Sequence, residues 1–278
     1  MRHDSIKKAA LHTLLLIGVV LSLFPIIIMI FGAFKTAAEL SSNPAGFPQA
    51  PTLENFMMVF THNDGLIFRS FLNSLFVSIT NTLLTLAISA VAAYAFEKCE
   101  FKGRKVLFGL LLATMMVPVE LTIPSLYVVF SKIHWINTYS VQIFPSIANV
   151  FALFMMRQYM RSIPDAMLEA ARIDGAGHWR IFGRIIMPTI SPVLSALGIL
   201  IFLNRWNEYL WPSLMVSNER LQPLMVILPR LSKGTNVLSI PWELVLAGCA
   251  VASVPIFIIF FFFQEKFMSS AVMGAVKE

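Results

Sequence analysis

Five stretches of this chain, 9–34, 70–96, 133–156, 185–204 and 244–264, contain no Asp, Glu, Lys or Arg, and a sixth, 106–131, carries one charge, Glu120. Each is long enough to cross a hydrocarbon layer as a helix, which takes about 20 residues. Lipid offers the backbone no hydrogen-bond partners, so a spanning segment must be a helix or part of a closed barrel. The alternating apolar and polar pattern of a membrane barrel is missing. The expectation is an all-α membrane protein with six transmembrane helices, at about 9–34, 70–96, 106–131, 139–160, 185–212 and 244–264. Only 13% of the 278 residues are charged and 57% are hydrophobic, against roughly 25% charged in a soluble domain. A soluble fold of this size has too little polar surface to cover such a chain.

The placement of basic residues orients the helices. If both termini share a side with 97–105 and 157–184, that side holds fourteen Lys and Arg, and the other holds six, with Arg205 inside a span. The richer side is cytoplasmic by the positive-inside rule, which makes the topology N-in and C-in. The net charge of +6 then needs no nucleic acid to explain it. Trp135, Tyr139, Trp206, Tyr209, Trp211 and Trp242 fall at outer span ends, where aromatic side chains favour the interface. His12 and His134 read as interfacial too. The first apolar run exceeds the roughly 7 to 15 residues of a signal-peptide core and reads as a retained anchor. Cys99 and Cys249 are too few and too separated for a disulfide framework or a metal site. No low-complexity tract or appended soluble domain stands out, so residues 1–278 read as one membrane domain.

The longest segment assigned to the inside, with its flanks, reads RQYMRSIPDAMLEAARIDGAGHWRIFGRIIMP from Arg157 to Pro188. Ser162 is a candidate cap for a short helix with Pro164 and Asp165 in its first turn, since proline loses no needed donor there and an acid suits the positive helix end. The helix is expected to run to about Ile173 and to close at Asp174 and Gly175, with Gly175 free to take a positive φ. Ala166, Ala170 and Ile173 share a stripe, flanked by Met167 and Ala171. The small adjacent alanines allow another surface to approach. Trp179, Phe182, Ile185 and Ile186 begin a second helix that enters the membrane at Pro188. By composition alone the segment is an amphipathic connector on the inner leaflet.

Its spacing is more specific. Glu169, Ala170 and Ala171 are followed by three residues and Gly175, then by nine residues, Ile185, one residue, Met187 and Pro188. This resembles the EAA loop of bacterial ATP-binding-cassette importers, with Met187 where the pattern has leucine. Trp206-Asn207-Glu208-Tyr209-Leu210-Trp211-Pro212, the proline-rich stretch at Val117-Pro118-Val119-Glu120, Asn137-Thr138-Tyr139 and the ending Gly274-Ala275-Val276-Lys277 are similar to the carbohydrate-uptake permeases of that class, the maltose and glycerol-3-phosphate permeases among them. The likeness covers nearly the whole chain. It implies a type I importer permease fold in a bacterial inner membrane. It also implies a coupling loop, about 161–184, in which Glu169, Ala170, Ala171, Asp174, Gly175, Ile185 and Pro188 serve a dimeric cytoplasmic ATPase. Glu169 has two candidate partners, an arginine of that ATPase and Arg172 at i, i+3. The other implied partners are a second, similar permease forming a heterodimer, an extracytoplasmic solute-binding protein, and membrane lipid.

Hydrolysing ATP takes a glycine-rich loop ending in Gly-Lys-Ser/Thr, whose amides and lysine hold the phosphates. The chain has none: Lys233-Gly234-Thr235 has the wrong order and sits on the outer side. ATP and its Mg²⁺ are therefore assigned to the partner, and this chain reads as a non-enzyme with no cofactor, catalytic residue or metal site of its own. Polar groups inside spans are expensive and often functional. Glu120, Asn204, Arg205, Asn207 and Glu208 are accordingly candidates for a solute pathway, with Arg205 and Glu208 spaced to pair. They fit equally a structural role at helix contacts. The solute class implied is a sugar, oligosaccharide or sugar-like molecule, anionic ones such as an acidic sugar or glycerol phosphate included. An ion-coupled secondary transporter is the alternative, but its internal repeat and midplane carboxylate cluster are not apparent.

Overall fold

The computed structural model describes residues 2–232 and 240–275, so Lys233, Gly234 and Thr235 of the outer loop, and Val276 and Lys277 of the family-like ending, lie outside the described residues. The described secondary structure is helical throughout. Four helical segments are long and apolar enough to cross a membrane: Leu11–Ala33, Asp64–Lys98, Tyr139–Arg161 and Trp242–Phe262. Two bent pairs, Arg104–Thr114 with Val119–Lys132 and His178–Thr189 with Ser191–Trp206, bring the number to six.

The described residues form two compact units. The first comprises 1–71 and 226–255. It contains helix α1 (Arg2–Ala33), the short helix α2 (Ala37–Ser42) and the start of α3 (Glu54–Lys98). Much of the stretch 35–69 between the first two expected spans is thus helical, and α3 passes through left-handed backbone at Asp64 (φ 55°) and Gly65 (φ 74°). The turn after α1 is tied down by polar groups. Lys35 is fully buried and its ammonium donates to the carbonyls of Asn43 (2.6 Å) and Gly46 (2.7 Å). The Asn55 amide donates to the carbonyls of Ala33 (2.9 Å) and Lys35 (2.7 Å). Ala33 ends α1, whose last carbonyls the helix leaves unpaired, and the other three acceptors belong to the non-helical backbone around α2.

The second unit comprises 72–225 and 256–278. Here α3 carries a buried polar stripe, Ser74, Ser78, Asn81, Thr85 and Ser89, at helical spacing. The stripe serves irregular backbone nearby. Asn81 donates to the carbonyl of Ile143 (2.6 Å) and Asn73 to that of Arg220 (2.9 Å), while the Leu224 amide donates to Ser74 Oγ (2.8 Å). Asn81 serves the segment where the fourth span, expected as one helix from 139 to 160, is divided. It consists of α6 (Tyr139–Ile143), a 3₁₀ turn containing Pro145, and α7 (Val150–Arg161), which Asn149 caps.

The third span is α4 (Arg104–Thr114) and α5 (Val119–Lys132), which meet at 98°. Pro118 has no N–H to continue the ladder and occupies the N-cap of α5. The fifth span follows α8 (Asp165–Ile173), and consists of α9 (His178–Ile181), a π-helical turn at Phe182–Ile186, α10 (Met187–Thr189) and α11 (Ser191–Trp206). Pro188 cannot donate to the carbonyl four residues back and its ring crowds it, which widens the preceding turn. The span bends by 75° before Pro192 and its helix ends at Trp206. The expected limit of 212 is corrected: Asn207 to Tyr209 leave the helix before α12 (Leu210–Met215) begins. The unit's main core joins Ala90, Tyr94, Met156, Met160, Leu168, Ile181, Ile186, Ile190 and Leu197.

Candidate functional site

The segment between α7 and α11 folds largely as its sequence suggests, with a different start. Ser162 does not cap α8. Its hydroxyl donates to the Tyr159 carbonyl (2.7 Å) at the end of α7, and Pro164 is the N-cap residue with no side-chain bond. The reason is steric: a residue before proline is driven out of the helical region, so Ile163 cannot join the helix and α8 begins at Asp165. The other end matches expectation. Gly175 has φ 78°, its N–H donates to the Arg172 carbonyl (3.0 Å), and the Ala176 N–H donates to the Ala171 carbonyl (2.9 Å). That pair of bonds is a Schellman cap, which places a left-handed residue at the glycine position.

Helix α8 is amphipathic in an unusual sense. Leu168 (2% exposed) points into the core, while Ala166, Met167, Ala170 and Ile173 (87% exposed) face outward. An apolar outward face beside exposed Trp179 is what a docking surface requires. The two alanines divide between the faces: Ala170 is exposed, whereas Ala171 is half-buried against the core cluster. Glu169 forms no ion pair with Arg172 among the described residues. It lines a groove of about 970 Å³ with Tyr94, Lys98, Arg172, His178 and Trp179. Asp174 is the C-cap residue of α8, Ile185 is half-buried on the core, and Pro188 is exposed beyond the π turn.

The intramembrane candidates separate into two groups. Arg205 Nη2 donates to Glu208 Oε2 at 3.0 Å, and Glu208 Oε1 accepts from the Trp211 N–H at 3.3 Å. Both residues line a cavity of about 590 Å³ together with Glu120, and Thr114, Ser146, Asn149 and Trp211 complete its polar margin. Two carboxylates and one guanidinium therefore face one space, and the guanidinium is already paired. Asn204 and Asn207 do not line it. The Asn207 amide instead donates to the Leu203 carbonyl (2.9 Å).

Comparison with known proteins sets these features in a family. Residues 85–270 match the family described as "Binding-protein-dependent transport system inner membrane component". The chain belongs to this family. The arabinooligosaccharide transport permease of Halalkalibacterium halodurans is 35% identical over 92% of both chains, and that of Bacillus subtilis is 33% identical over 100% of this chain and 99% of its own. A lactose transport permease of Rhizobium radiobacter is 28% identical over 96% of this chain and 95% of its own. Among solved structures, a bacterial ABC transporter involved in import of the acidic polysaccharide alginate contains a chain that superposes with a TM-score of 0.86. It is 23% identical, and the match covers 95% of this chain and 98% of that one. The fold is that of a type I importer permease.

In this permease, residues that sequence reasoning passed over hold the α8 region. Lys98 Nζ donates to Asp165 Oδ1 and to the Ile163 carbonyl, each at 2.7 Å. This ammonium keeps the Asp165 carboxyl below the usual carboxylate range, through the hydrogen bond first and its charge second. Arg157 Nε donates to Glu97 Oε2 at 2.8 Å, with its guanidinium 3.9 Å from the Phe108 ring centre. Charges of opposite sign at predicted helix ends on the same side of the membrane were the available signal, but only the fold says which ends meet.

Proposed function

We propose that this chain is one of two permease subunits of a bacterial inner-membrane importer that takes up a sugar or oligosaccharide delivered by an extracytoplasmic binding protein. A dimeric cytoplasmic ATPase holds the ATP and Mg²⁺ and docks on α8. The observation that carries this proposal is α8 itself. It has the EAA spacing, a glycine-closed end, and an outward face of Ala166, Met167, Ala170 and Ile173. A short helix with an apolar outward face, joined to spans at both ends, can pass the closure of an ATPase dimer to the bundle as a rigid-body movement. Relatives named for arabinooligosaccharides and lactose support a hydroxylated solute. The cavity lined by Glu120, Arg205 and Glu208 offers hydrogen bonds of the kind such a solute accepts and donates.

The experiment is purification of the tagged permease from its native membrane in mild detergent, with mass spectrometry of what accompanies it. An ATPase carrying a phosphate-binding loop and a second permease are expected. With Ala170→Trp the ATPase is lost and the second permease retained. Recovery of the chain alone, in a form that takes up solute on an ion gradient, contradicts the proposal.

A further inference from the structure

The last two turns of α3 grip the α7–α10 region at three points. Tyr94, Glu97 and Lys98 stand at i, i+3 and i+4, on one face of the helix. Tyr94 is buried in the core, with its hydroxyl 3.1 Å from His178 Nδ1 of α9 and its ring 5.5 Å from that of Phe182. Glu97 takes the Arg157 guanidinium of α7. Lys98 reaches the start of α8, and its side chain is only 4% exposed.

The lysine is the most informative of the three. A buried ammonium is costly unless hydrogen-bonded, and a positive charge near a helix N-terminus opposes the helix dipole. A fold that needed only a filled space there has an apolar side chain available at lower cost. What the ammonium provides is a pair of directional, charge-assisted bonds, to the Ile163 carbonyl and the Asp165 carboxylate on either side of the Pro164 N-cap. Pro164 fixes where α8 starts but leaves it without a side-chain cap of its own, so this clamp is what ties that start to α3.

The same helix extends to the pathway. Twenty residues before Lys98, a distance of about 30 Å along a helix, Ser78 and Ser74 line a small cavity with Gln142, Arg205 and Glu208. Gln142 Oε1 and Ser78 Oγ are buried there without a hydrogen-bond partner in the described structure. Displacing this part of α3 alters the surroundings of the Arg205–Glu208 pair.

We propose that α3 is a transmission arm between α8 and the solute pathway, in addition to the spans joined to α8 through the chain, and that Lys98 is the positioning residue that engages it. This rests on α8 being the ATPase contact. A movement of α8 then reaches the wall formed by Ser74 and Ser78 through Lys98, and reaches α7 and α11 through the backbone.

The test uses the whole transporter, both permeases with the ATPase and binding protein, in proteoliposomes, and measures ATP hydrolysed per solute taken up. Lys98→Met is expected to keep the ATPase bound and its stimulation by loaded binding protein, while hydrolysis per solute rises about tenfold or more, since both charge-assisted bonds are lost. Lys98→Arg, which retains donors for both acceptors, is expected to restore at least half of the uptake. If Lys98→Met does not give an intact complex, Asp165→Asn decides. It alters a largely exposed carboxylate and is expected to raise the ratio about threefold, since the Ile163 bond remains. An unchanged ratio in whichever of Lys98→Met and Asp165→Asn assembles overturns the arm. Loss of coupling in Gly175→Pro alongside that result leaves the assignment of α8 standing, whereas wild-type coupling in both Gly175→Pro and Ala170→Trp removes that assignment itself.

Discussion

Replacing Gly175 separates a local conformational effect from every packing effect. The residue sits at φ 78°, and a Cβ built there meets nothing within 4 Å. Gly175→Ala therefore introduces no clash, and its cost is the left-handed backbone alone, about 1–2 kcal/mol for a non-glycine residue. That lowers the weight of the Schellman turn by a factor of about 5–30 without touching the core. Valine, branched at Cβ, fits the left-handed region worse than alanine. Proline fixes φ near −65° and removes the N–H that donates to the Arg172 carbonyl, so the turn is abolished. Uptake and ATP hydrolysis in proteoliposomes are expected to diverge in the order Ala, Val, Pro. Solute taken up per ATP should fall, while thermal stability of the permease in detergent stays within a few degrees of wild type. Wild-type coupling in Gly175→Pro, or equal loss of stability and transport through the series, refutes a positional role for this turn.

Breaking the Arg205–Glu208 pair from one side strands a poorly solvated charge, so Arg205→Leu is expected to destabilise by about 2 kcal/mol, and Arg205→Leu with Glu208→Leu by less. A melting temperature for the double variant below that of the single one counts against the pair being structurally closed. Lys35→Met leaves the Asn43 and Gly46 carbonyls without their donor and should lower stability by about 1–3 kcal/mol, read as a lower denaturation midpoint; an unchanged midpoint contradicts it. Folding depresses Asp165, so its ion pair with Lys98 is intact above the ordinary carboxylate value, ~3.9, and is lost as pH falls through the lower folded value. The ratio of wild-type to Asp165→Asn coupling should accordingly be constant between about pH 6 and 8, and a midpoint near neutrality would show that another group controls the clamp.

The parts of this molecule that were legible in its sequence are those set by solvent and by local backbone chemistry. Charge-free runs mark the spans because lipid excludes charge. The end of α8 at Asp174 and Gly175 follows from chemistry within six residues. Local reasoning erred where two local signals compete, as at Ser162, where the proline two residues on displaces the cap. The fifth span was read too long because Asn207 to Trp211 are compatible with an outer helix end, and only the turn after Trp206 shows that the chain departs there. Long-range partners were out of reach. Lys98 and Asp165 are ordinary charges in sequence, and the partition of Ala170 and Ala171 depends on what lies beneath α8. The polar stripe of α3 was passed over, although its Ser, Thr and Asn recur at helical spacing, because its partners, carbonyls freed near Ile143 and Arg220, appear only once those segments are irregular.

Photo-crosslinking from α8 in native membranes tests the central claim most directly, with p-benzoylphenylalanine placed at Ala170 and at Ile173 and, as an inward-facing control, at Leu168. Crosslinks from Ala170 and Ile173 to a single ATPase, absent from Leu168, are the predicted result. Crosslinks from the outward positions to lipid alone would contradict it and return α8 to an amphipathic connector on the membrane surface.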